Sequence, residues 1–375
     1  MIRMHVISAL VVSMAGLALA DPGKWEPEKT YALMAGVLEW QDKNLSPFPK
    51  ENRQDRALEA TLKKAGVPAD HVVFLEDKAA TQKGIQEKLR EVCGMAAEGS
   101  TLIFYFAGHG MQDDGGEIYL ANYDADTAKK KATCVATADV TRIISKNFKG
   151  SRVMLFADCC YSGGLAKVVR DFDKATASAA CLTSATASNI STAEWTFTAS
   201  LVAIFGGAGA ADASGDGSIT LKEADAFVAG EMRFKEGQLT RGASTPSFDS
   251  GFVLASVDAA KKPKDLPGPW KFHEYCEVEW KGEWFRSQVI DGREGEWKVH
   301  YFGFKDSDDE WVPAKRIRKP QGISATGGDK VQVEWKHKWY PATVMKVEGD
   351  FAYIHYEGFG DEWDEWVTGK RLKKK

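Results

Sequence analysis

The chain has 375 residues, a length that suggests two or three domains, and 44% of them are hydrophobic while 27% are charged. This balance is typical of folded proteins and excludes a disordered or fibrous chain. The formal net charge of −4 gives no electrostatic reason to bind nucleic acid, so we expect no nucleic-acid partner. The six cysteines show no metal-ligand spacing and are too few for a disulfide framework. A pairing of Cys93 with Cys134 stays open.

Residues 1–20 have the pattern of a secretory signal peptide. Arg3 supplies a positive charge, the stretch 6–19 is nearly all apolar, and Ala18-Leu19-Ala20 forms a small-x-small cleavage site. We therefore expect an exported protein, periplasmic or extracellular, with no membrane span after cleavage. The alternative is an uncleaved membrane anchor, for which the apolar run is short.

From residue 29 onward, predicted strands alternate with predicted helices. In chain order these are a strand at 31–38, a helix at 57–65, a strand at 71–75, a helix capped by Thr81, and strands at 102–106 and 153–157. Such alternation predicts an α/β fold with a mostly parallel sheet flanked by helices.

Two of these strands end in residues that can perform chemistry. The strand at 102–106 is followed by Gly108-His109-Gly110, and the strand at 153–157 by Asp158-Cys159-Cys160. Because α/β sheets keep their sites at the carboxyl ends of the strands, we expect the imidazole and a thiol to meet there. A thiol with an imidazole is the minimal set for nucleophilic catalysis by cysteine.

The stretches FYFAGHG and ADCCYSGG, in which Cys160 follows His109 at a separation of 51 positions, resemble the motifs of caspase-fold cysteine peptidases, specifically the metacaspase-like branch. The resemblance covers residues 29–257. It implies that Cys160 is the nucleophile and that His109 is the general base and acid. It also implies that the backbone N–H groups of Gly110 and Cys160 form the oxyanion hole.

Two adjacent thiols raise the question of which cysteine attacks. The family register D-x-C-x-S-G places the nucleophile at Cys160, and strand alternation turns Cys159 to the other face of the sheet. We therefore expect Cys159 to pack as a small buried hydrophobe. A vicinal disulfide, which would silence the site, is the alternative. Ala107 and Tyr161 also depart from the residues usual in the family, but neither departure removes a catalytic atom.

The resemblance also implies a pocket for a basic substrate side chain. Asp158 lies two residues before Cys160, and Asp55 matches an acid that the metacaspase-like branch keeps at this place. Together they are expected to bind a substrate Arg or Lys by charge complementarity. The alternative for Asp55 is an ordinary acid at a helix N-terminus. The implied activity is endopeptidase cleavage of polypeptides after Arg or Lys, with no cofactor required for the chemistry.

Residues 212–223 match the twelve-residue calcium loop of an EF-hand. We expect helices at 198–208 and 224–232 on either side of it. Only one such loop is recognised, so the expected affinity is modest. Two interpretations stay open, a Ca²⁺ site and a metal-free turn. The candidate ligands are Asp212, Ser214, Asp216, Ser218 and Glu223.

A linker at 258–270 leads into a repeat whose copies, at 271–318 and 329–375, are joined by a second linker at 319–328. The copies are related by a constant offset of 55 residues, since Val278-Glu279-Trp280 recurs as Val333-Glu334-Trp335. Short alternating strands rich in aromatic residues predict two small all-β barrels, of the Tudor or SH3 type.

The second copy resembles Tudor-knot or chromo-barrel modules, in which aromatic cages hold methylated ammonium groups. The corresponding first-copy rings are Phe285, Tyr301 and Phe304, with Asp308 replacing the fourth ring. The alternative is that these rings only fill barrel cores. The cage residues implied in the second copy are Tyr340, Tyr356, Phe359 and Trp363.

We expect the two modules to bind a protein partner or the substrate. The alternative function for the whole chain is a catalytically silent caspase-like scaffold whose barrels bind a protein partner.

Overall fold

The computed structural model describes residues 23–170, 172, 177–187, 194–261, 264–335, 338–360 and 363–374. The predicted signal peptide lies outside these residues. Within them, no helix has the length and apolar character that crossing a bilayer requires. All six cysteines are described, and none forms a disulfide, so Cys93 and Cys134 are not paired.

The first part of the chain alternates strands and helices. In chain order they are β1 (Thr30–Gly36), α1 (Gln54–Lys64), β2 (Val72–Glu76), α2 (Gln82–Met95), β3 (Thr101–Ala107), β4 (Gly110–Gln112), β5 (Ile118–Leu120), α3 (Lys130–Thr133), β6 (Val135–Ala136), α4 (Thr137–Asn147), β7 (Arg152–Asp158), α5 (Leu165–Arg170), β8 (Ser178–Thr183), α6 (Thr196–Phe205), β9 (Ser218–Thr220), α7 (Leu221–Glu231), β10 (Arg241–Ser244) and β11 (Val253–Ser256).

Six of these strands form the central sheet, in the order β10-β8-β7-β3-β1-β2. All neighbours pair in parallel except β10, which runs antiparallel along β8 at one edge. Two small antiparallel sheets, β4-β5-β6 and β9-β11, lie outside it. The predicted α/β fold class is therefore confirmed.

Helices cover both faces of the central sheet, so residues 102–107 of β3 and 153–157 of β7 are continuous apolar runs rather than alternating patterns. Helices α2, α4 and α5 contribute to the core on one face, and α1, α6 and α7 to the core on the other. Phe104 and Phe106 point into the first core, while Ile103 and Tyr105 point into the second. The residues that follow β3 and β7 are therefore held in place by two rigid, buried strands.

Capping residues fix where two helices begin. The Thr81 side chain accepts a hydrogen bond from the Gly84 N–H and caps α2, as the sequence predicts. Helix α7 begins at Leu221, three residues before the predicted start, because Thr220 and Glu223 form a capping box. The predicted EF-hand loop therefore overlaps the first turn of α7.

The C-terminal part consists of two five-stranded antiparallel sheets, ordered β15-β14-β13-β12-β16 and β20-β19-β18-β17-β21, as expected for Tudor-like barrels. Their strands are β12 (Tyr275–Trp280), β13 (Glu283–Arg293), β14 (Glu296–Tyr301), β15 (Glu310–Pro313), β16 (Ile317–Arg318), β17 (Lys330–Trp335), β18 (Lys338–Glu348), β19 (Phe351–Tyr356), β20 (Glu365–Thr368) and β21 (Leu372–Lys374). Each strand of the second sheet starts 55 residues after its counterpart in the first.

The repeat extends to the polar contacts. In each copy a tyrosine hydroxyl donates to a glutamate that an arginine also binds, and a histidine meets an aspartate at 2.8 Å. These residues are Tyr301, Glu310, Arg316, His300 and Asp309 in the first barrel, and Tyr356, Glu365, Arg371, His355 and Asp364 in the second. Both barrels therefore share the same internal set of polar contacts.

Both barrels contact the segment between α7 and β10. The ring of Tyr275 in the first barrel stacks on Phe234, with 4.3 Å between centroids. Arg241 at the start of β10 forms a two-point ion pair with Glu348 of the second barrel, at 2.6 and 2.9 Å. The edge of the central sheet is thereby connected to the barrels.

Candidate active site

The site begins where β3 and β7 end, side by side. Ala107 and Asp158, the last residues of the two strands, are directly paired in the parallel register. The N–H of Gly108 donates to the carbonyl oxygen of Asp158 at 3.2 Å, which extends the pairing one step further. His109 and Cys160 each stand two residues after the end of these strands. The structure thus brings these two predicted catalytic residues to the same point on the sheet edge.

His109 is held by contacts on three sides. Its ring lies between Trp40 and Phe48, with centroid distances of 4.5 and 4.4 Å. Its Nε2 atom is 2.9 Å from the carbonyl oxygen of Ser46. Because a carbonyl only accepts, we assign the hydrogen to Nε2, which leaves Nδ1 of a neutral ring as the acceptor. Burial lowers the pKa of His109, although the Ser46 contact opposes this, so the ring favours the neutral, basic form.

The two adjacent cysteines face different environments. Cys159 is 1% exposed and packs in the core on the α2–α4–α5 side of the sheet. Burial raises the pKa of its thiol well above the usual value, which makes Cys159 a poor nucleophile. Cys160 is partly exposed and borders a cavity. Tyr161, with φ of +58°, then turns the chain sharply toward α5 in a backbone conformation that few non-glycine residues adopt.

Gly110 lies against the main chain of Cys160. A Cβ atom added at Gly110 would be 2.8 Å from the Cys160 carbonyl carbon and 3.2 Å from the Cys159 sulfur. The main chain of Cys160 cannot move aside easily, so only glycine fits this position. The two residues predicted to supply oxyanion-hole N–H groups are therefore neighbours in space.

A cavity of about 310 Å³ opens beside Cys160. Three carboxylate residues line it, of which Asp158 comes from β7, and Trp195 and Phe48 supply aromatic surface. Such a combination of apolar walls and a few acids suits a long basic side chain. The complete lining is Leu38, Phe48, Pro49, Glu51, Asn52, Ala107, Gly108, Asp158, Cys159, Cys160, Glu194 and Trp195.

Asp158 is 8% exposed and is held by a chain of hydroxyl groups. Thr198 donates to its carboxylate at 2.6 Å, and the Tyr105 hydroxyl lies 2.7 Å from Thr198 Oγ1. Since Thr198 has a single hydroxyl hydrogen, Tyr105 donates to Thr198. Burial raises the pKa of Asp158 to about 6, against the opposing hydrogen bonds from Thr198 and Ser184. The carboxyl is therefore mostly ionised at neutral pH and protonated in mild acid.

Asp55 is fully buried and is engaged by a neighbouring cation. Arg53 makes a two-point contact with its carboxylate, and the same guanidinium binds Asp77 and the carbonyl oxygen of Gly36. Asp55 is not among the residues that line the cavity. The structure thus separates the two predicted specificity acids: Asp158 reaches the cavity, while Asp55 is neutralised by Arg53.

The predicted calcium loop does not present a ready-made set of ligands. Asp212 accepts hydrogen bonds from the N–H groups of Gly215 and Gly217, and Glu223 accepts them from Ser214 and Thr220. Across the part of the chain that the structure describes, no group of three or more His, Cys, Asp or Glu side chains is arranged to hold a metal ion. In this conformation the loop satisfies the carboxylates of Asp212 and Glu223 internally, and Ca²⁺ binding by Asp212, Ser214, Asp216, Ser218 and Glu223 stays a prediction.

The four predicted cage rings of the second barrel lie together, and a fifth ring joins them. Tyr340, Tyr356 and Phe359 are 6.0–6.2 Å apart, and Trp363 is 6.3 Å from Phe359. Trp335 lies 6.1 Å from Tyr340 and 5.9 Å from Trp363, at interplanar angles of 66° and 76°, and closes the box. In the first barrel Trp280, Phe285, Tyr301 and Phe304 repeat four of these five positions, and Asp308 stands at the position of Trp363.

Sequence reasoning missed the residues that support the site. Trp40, Phe48 and Ser46 hold His109 from a loop more than 60 residues earlier in the chain, and no local pattern indicates that contact. The pairing of Thr198 with Asp158 spans 40 residues. Trp335 had a usable signal, since it ends a strand of the recognised repeat next to Tyr340.

The fold and the site define the class of protein: a parallel α/β domain of caspase type, with a thiol and an imidazole at adjacent strand ends, followed by Tudor-like barrels. The family model of the caspase domain matches residues 41–253, more than half of the chain, and the chain belongs to this family of C14 peptidases. A second model, described as the RNA binding activity-knot of a chromodomain, or Tudor-knot, matches residues 325–374. Both resemblances stated from the sequence are confirmed.

Among solved structures, the chain is similar to protein GSU0716 from Geobacter sulfurreducens. That crystal structure shares 13% sequence identity, with a TM-score of 0.44, and the match covers 61% of this chain and 99% of that one. No functional conclusion follows at this level of similarity. A comparison with curated proteins gives no significant match.

Proposed function

We propose that the chain is an exported cysteine endopeptidase that cleaves polypeptides after Arg or Lys. One observation carries the catalytic part of this proposal. The paired ends of β3 and β7 bring His109 and Cys160 to one edge, beside a cavity that contains the buried acid Asp158. Export rests on the sequence pattern of residues 1–20.

The proposed reaction uses the chain's own groups. His109 Nδ1 takes the proton of the Cys160 thiol, and the thiolate attacks the substrate carbonyl carbon. The N–H groups of Gly110 and Cys160 stabilise the oxyanion of the tetrahedral intermediate. The C–N bond then breaks, and the imidazolium protonates the leaving amine. Water, deprotonated by His109, hydrolyses the resulting thioester and restores the thiol.

The proposed specificity follows from the charges in the cavity. A substrate guanidinium or ammonium in the cavity would meet the Asp158 carboxylate, with Glu51 and Glu194 also on the wall. A charge-assisted hydrogen bond of this kind contributes about 1.5–3 kcal/mol, enough for a preference of tenfold or more. Asp55 would take part only if its pair with Arg53 opened, so we propose Asp158 as the main determinant.

We further propose that the barrels hold a protein partner or the substrate through the aromatic box of Trp335, Tyr340, Tyr356, Phe359 and Trp363. Trp363 and Phe359 are 48% and 44% exposed, so the box is accessible, and crossed rings attract methylated ammonium groups. The matched Tudor-knot description names RNA binding, but the chain's net charge of −4 favours a protein ligand.

Fluorogenic peptides that differ only in the residue before the scissile bond test this function. The mature protein should hydrolyse peptides ending in Arg or Lys and leave those ending in Asp or Gln intact, and Cys160→Ala should abolish turnover. Parallel reactions with Ca²⁺ and with a chelator test the calcium prediction for residues 212–223. Equal cleavage after Arg and Asp would contradict the proposed specificity, and activity that persists in Cys160→Ala would contradict the proposed nucleophile.

A further inference from the structure

A second charged cavity lies between the two barrels. It measures about 240 Å³ and is lined by both barrels and by residues 321–325, which connect them. Four basic side chains but only two acidic ones face it, so the lining carries two excess positive charges. The basic residues are Arg286, Arg318, Lys370 and Lys374, and the acidic ones are Glu277 and Asp350.

Both acids already have cationic partners. Arg318 binds Glu277 at 2.8 Å, and Asp350 pairs with Arg233, which approaches from the α7–β10 segment. Lys374 has its own partner in Asp329, at 3.4 Å. The lining acids are therefore committed to cations other than Arg286 and Lys370.

Of the four basic residues that line the cavity, Arg286 and Lys370 have no carboxylate within salt-bridge distance among the residues that the structure describes. Arg286 Nη1 donates to the carbonyl oxygen of Arg233 at 2.7 Å, which uses one of its five N–H groups. The ammonium group of Lys370 forms no hydrogen bond and no ion pair with any residue that the structure describes. Desolvation lowers the pKa of both side chains, and repulsion from Arg286 lowers that of Lys370 further, while attraction from Glu277 and, for Arg286, also from Asp350 opposes the shift. A bound anion would supply the negative charge that these two side chains lack.

Comparison of equivalent residues in the two copies shows that the repeat alone does not account for this cluster of charged residues. At the offset of 55 residues, Arg286 corresponds to Pro341 and Asp350 to Gly295. Lys370 corresponds to Lys315, which does not line the cavity. Arg286 and Asp350 therefore arise where the two copies differ, whereas Lys370 is common to both copies and lines the cavity only in the second.

We propose that the cavity between the barrels binds a phosphate or diphosphate group, with Arg286 and Lys370 as its principal ligands. The remaining N–H groups of Arg286 form a planar fork that matches two phosphate oxygens, and Lys370 adds a mobile point charge. A phosphate dianion would balance the two excess positive charges of the lining. This site is independent of the proposed peptidase activity and of the aromatic box.

Isothermal titration calorimetry of the intact mature protein with pyrophosphate, repeated with inorganic phosphate, tests the site. Binding should weaken about tenfold or more in Lys370→Gln, because one charge-assisted contact is lost. Lys315→Gln, which removes the equivalent charge from the first barrel, should bind like the parent protein. Arg286→Gln should weaken binding as well, with folding of each variant checked by its thermal unfolding temperature.

Three outcomes would overturn the proposal: no binding heat for either anion, unchanged binding in Lys370→Gln, or an equal loss in Lys315→Gln, which would indicate general attraction to surface lysines. Peptide hydrolysis measured on the same samples separates this proposal from the enzymatic one, because Lys370 and Arg286 lie outside the Cys160 cavity.

Discussion

Thr198 donates a hydrogen bond of 2.6 Å to the buried carboxylate of Asp158, across 40 residues of sequence. The donor stabilises the ionised form of a carboxyl whose pKa burial has raised to about 6. Removing this donor should therefore raise the pKa of Asp158 further. If the ionised acid binds the substrate cation, activity is complete above this pKa and is lost as pH falls through it.

Substitution of Thr198 tests this dependence of activity on pH. Thr198→Val should shift the acidic limb of kcat/KM for an Arg peptide upward by roughly one pH unit, the equivalent of about 1.4 kcal/mol. Thr198→Ser keeps a hydroxyl and should leave the limb near pH 6. An identical acidic limb in the Val and Ser variants would show that ionisation of Asp158 does not control substrate binding.

Asp158 itself should set the preference for basic residues. Asp158→Asn removes the charge while keeping a side chain of the same shape, so kcat/KM for Arg and Lys peptides should fall about 10–100-fold, as expected for one or two charge-assisted contacts. Peptides with a neutral residue before the scissile bond should be affected much less. The comparison requires kinetics on matched peptides, and an equal loss for neutral and basic peptides would argue for a general effect on catalysis.

Asp55 should behave as a structural partner of Arg53. Asp55→Asn removes the acid that makes the two-point contact with Arg53, whose side chain is 1% exposed, and leaves Asp77 and Glu76 as its remaining acidic partners. We expect the free energy of unfolding in urea to fall by about 3–5 kcal/mol. The double variant Arg53→Met/Asp55→Leu should recover part of that loss. A single variant that folds normally but cleaves Arg peptides poorly would instead support a direct role of Asp55 in substrate binding.

Gly110 should be intolerant of any side chain. In Gly110→Ala the new methyl group would meet the Cys160 carbonyl, so the two oxyanion-hole N–H groups should lose their alignment. Loss of one such donor typically lowers kcat by about 10²–10³-fold. Gly94→Ala is the matched control, since nothing lies within 4 Å of an added Cβ in that exposed part of α2. Comparable kcat values for both variants would place the oxyanion hole elsewhere.

The sequence was sufficient to predict the fold class and to predict that the ends of β3 and β7 meet. The buried strands β3 and β7 are local apolar runs, and each ends in a motif with polar residues at fixed positions. The offset of 55 residues likewise predicted both barrels. These features depend on patterns within one or two segments, which sequence reasoning handles well.

The missed features depend on contacts between distant segments. Arg53 stands two residues before Asp55, yet nothing in that spacing says that its guanidinium turns back to bury the acid. The contacts of Ser46 with His109 and of Thr198 with Asp158 depend on how loops close over the sheet edge. The start of α7 was predictable in retrospect, because Thr220 and Glu223 have capping-box spacing.

The central claim is that Cys160, and not its neighbour Cys159, is the nucleophile of a site that takes basic side chains. The most direct measurement treats the mature protein with an affinity label that carries arginine before a thiol-reactive ketone, and maps the adduct by peptide mass spectrometry. We expect one adduct, on Cys160, which survives in Cys159→Ala, is absent in Cys160→Ala, and does not form with the matching aspartate label. An adduct on Cys159, or no adduct on a protein whose Cys160 reacts with a small thiol reagent, would contradict the account.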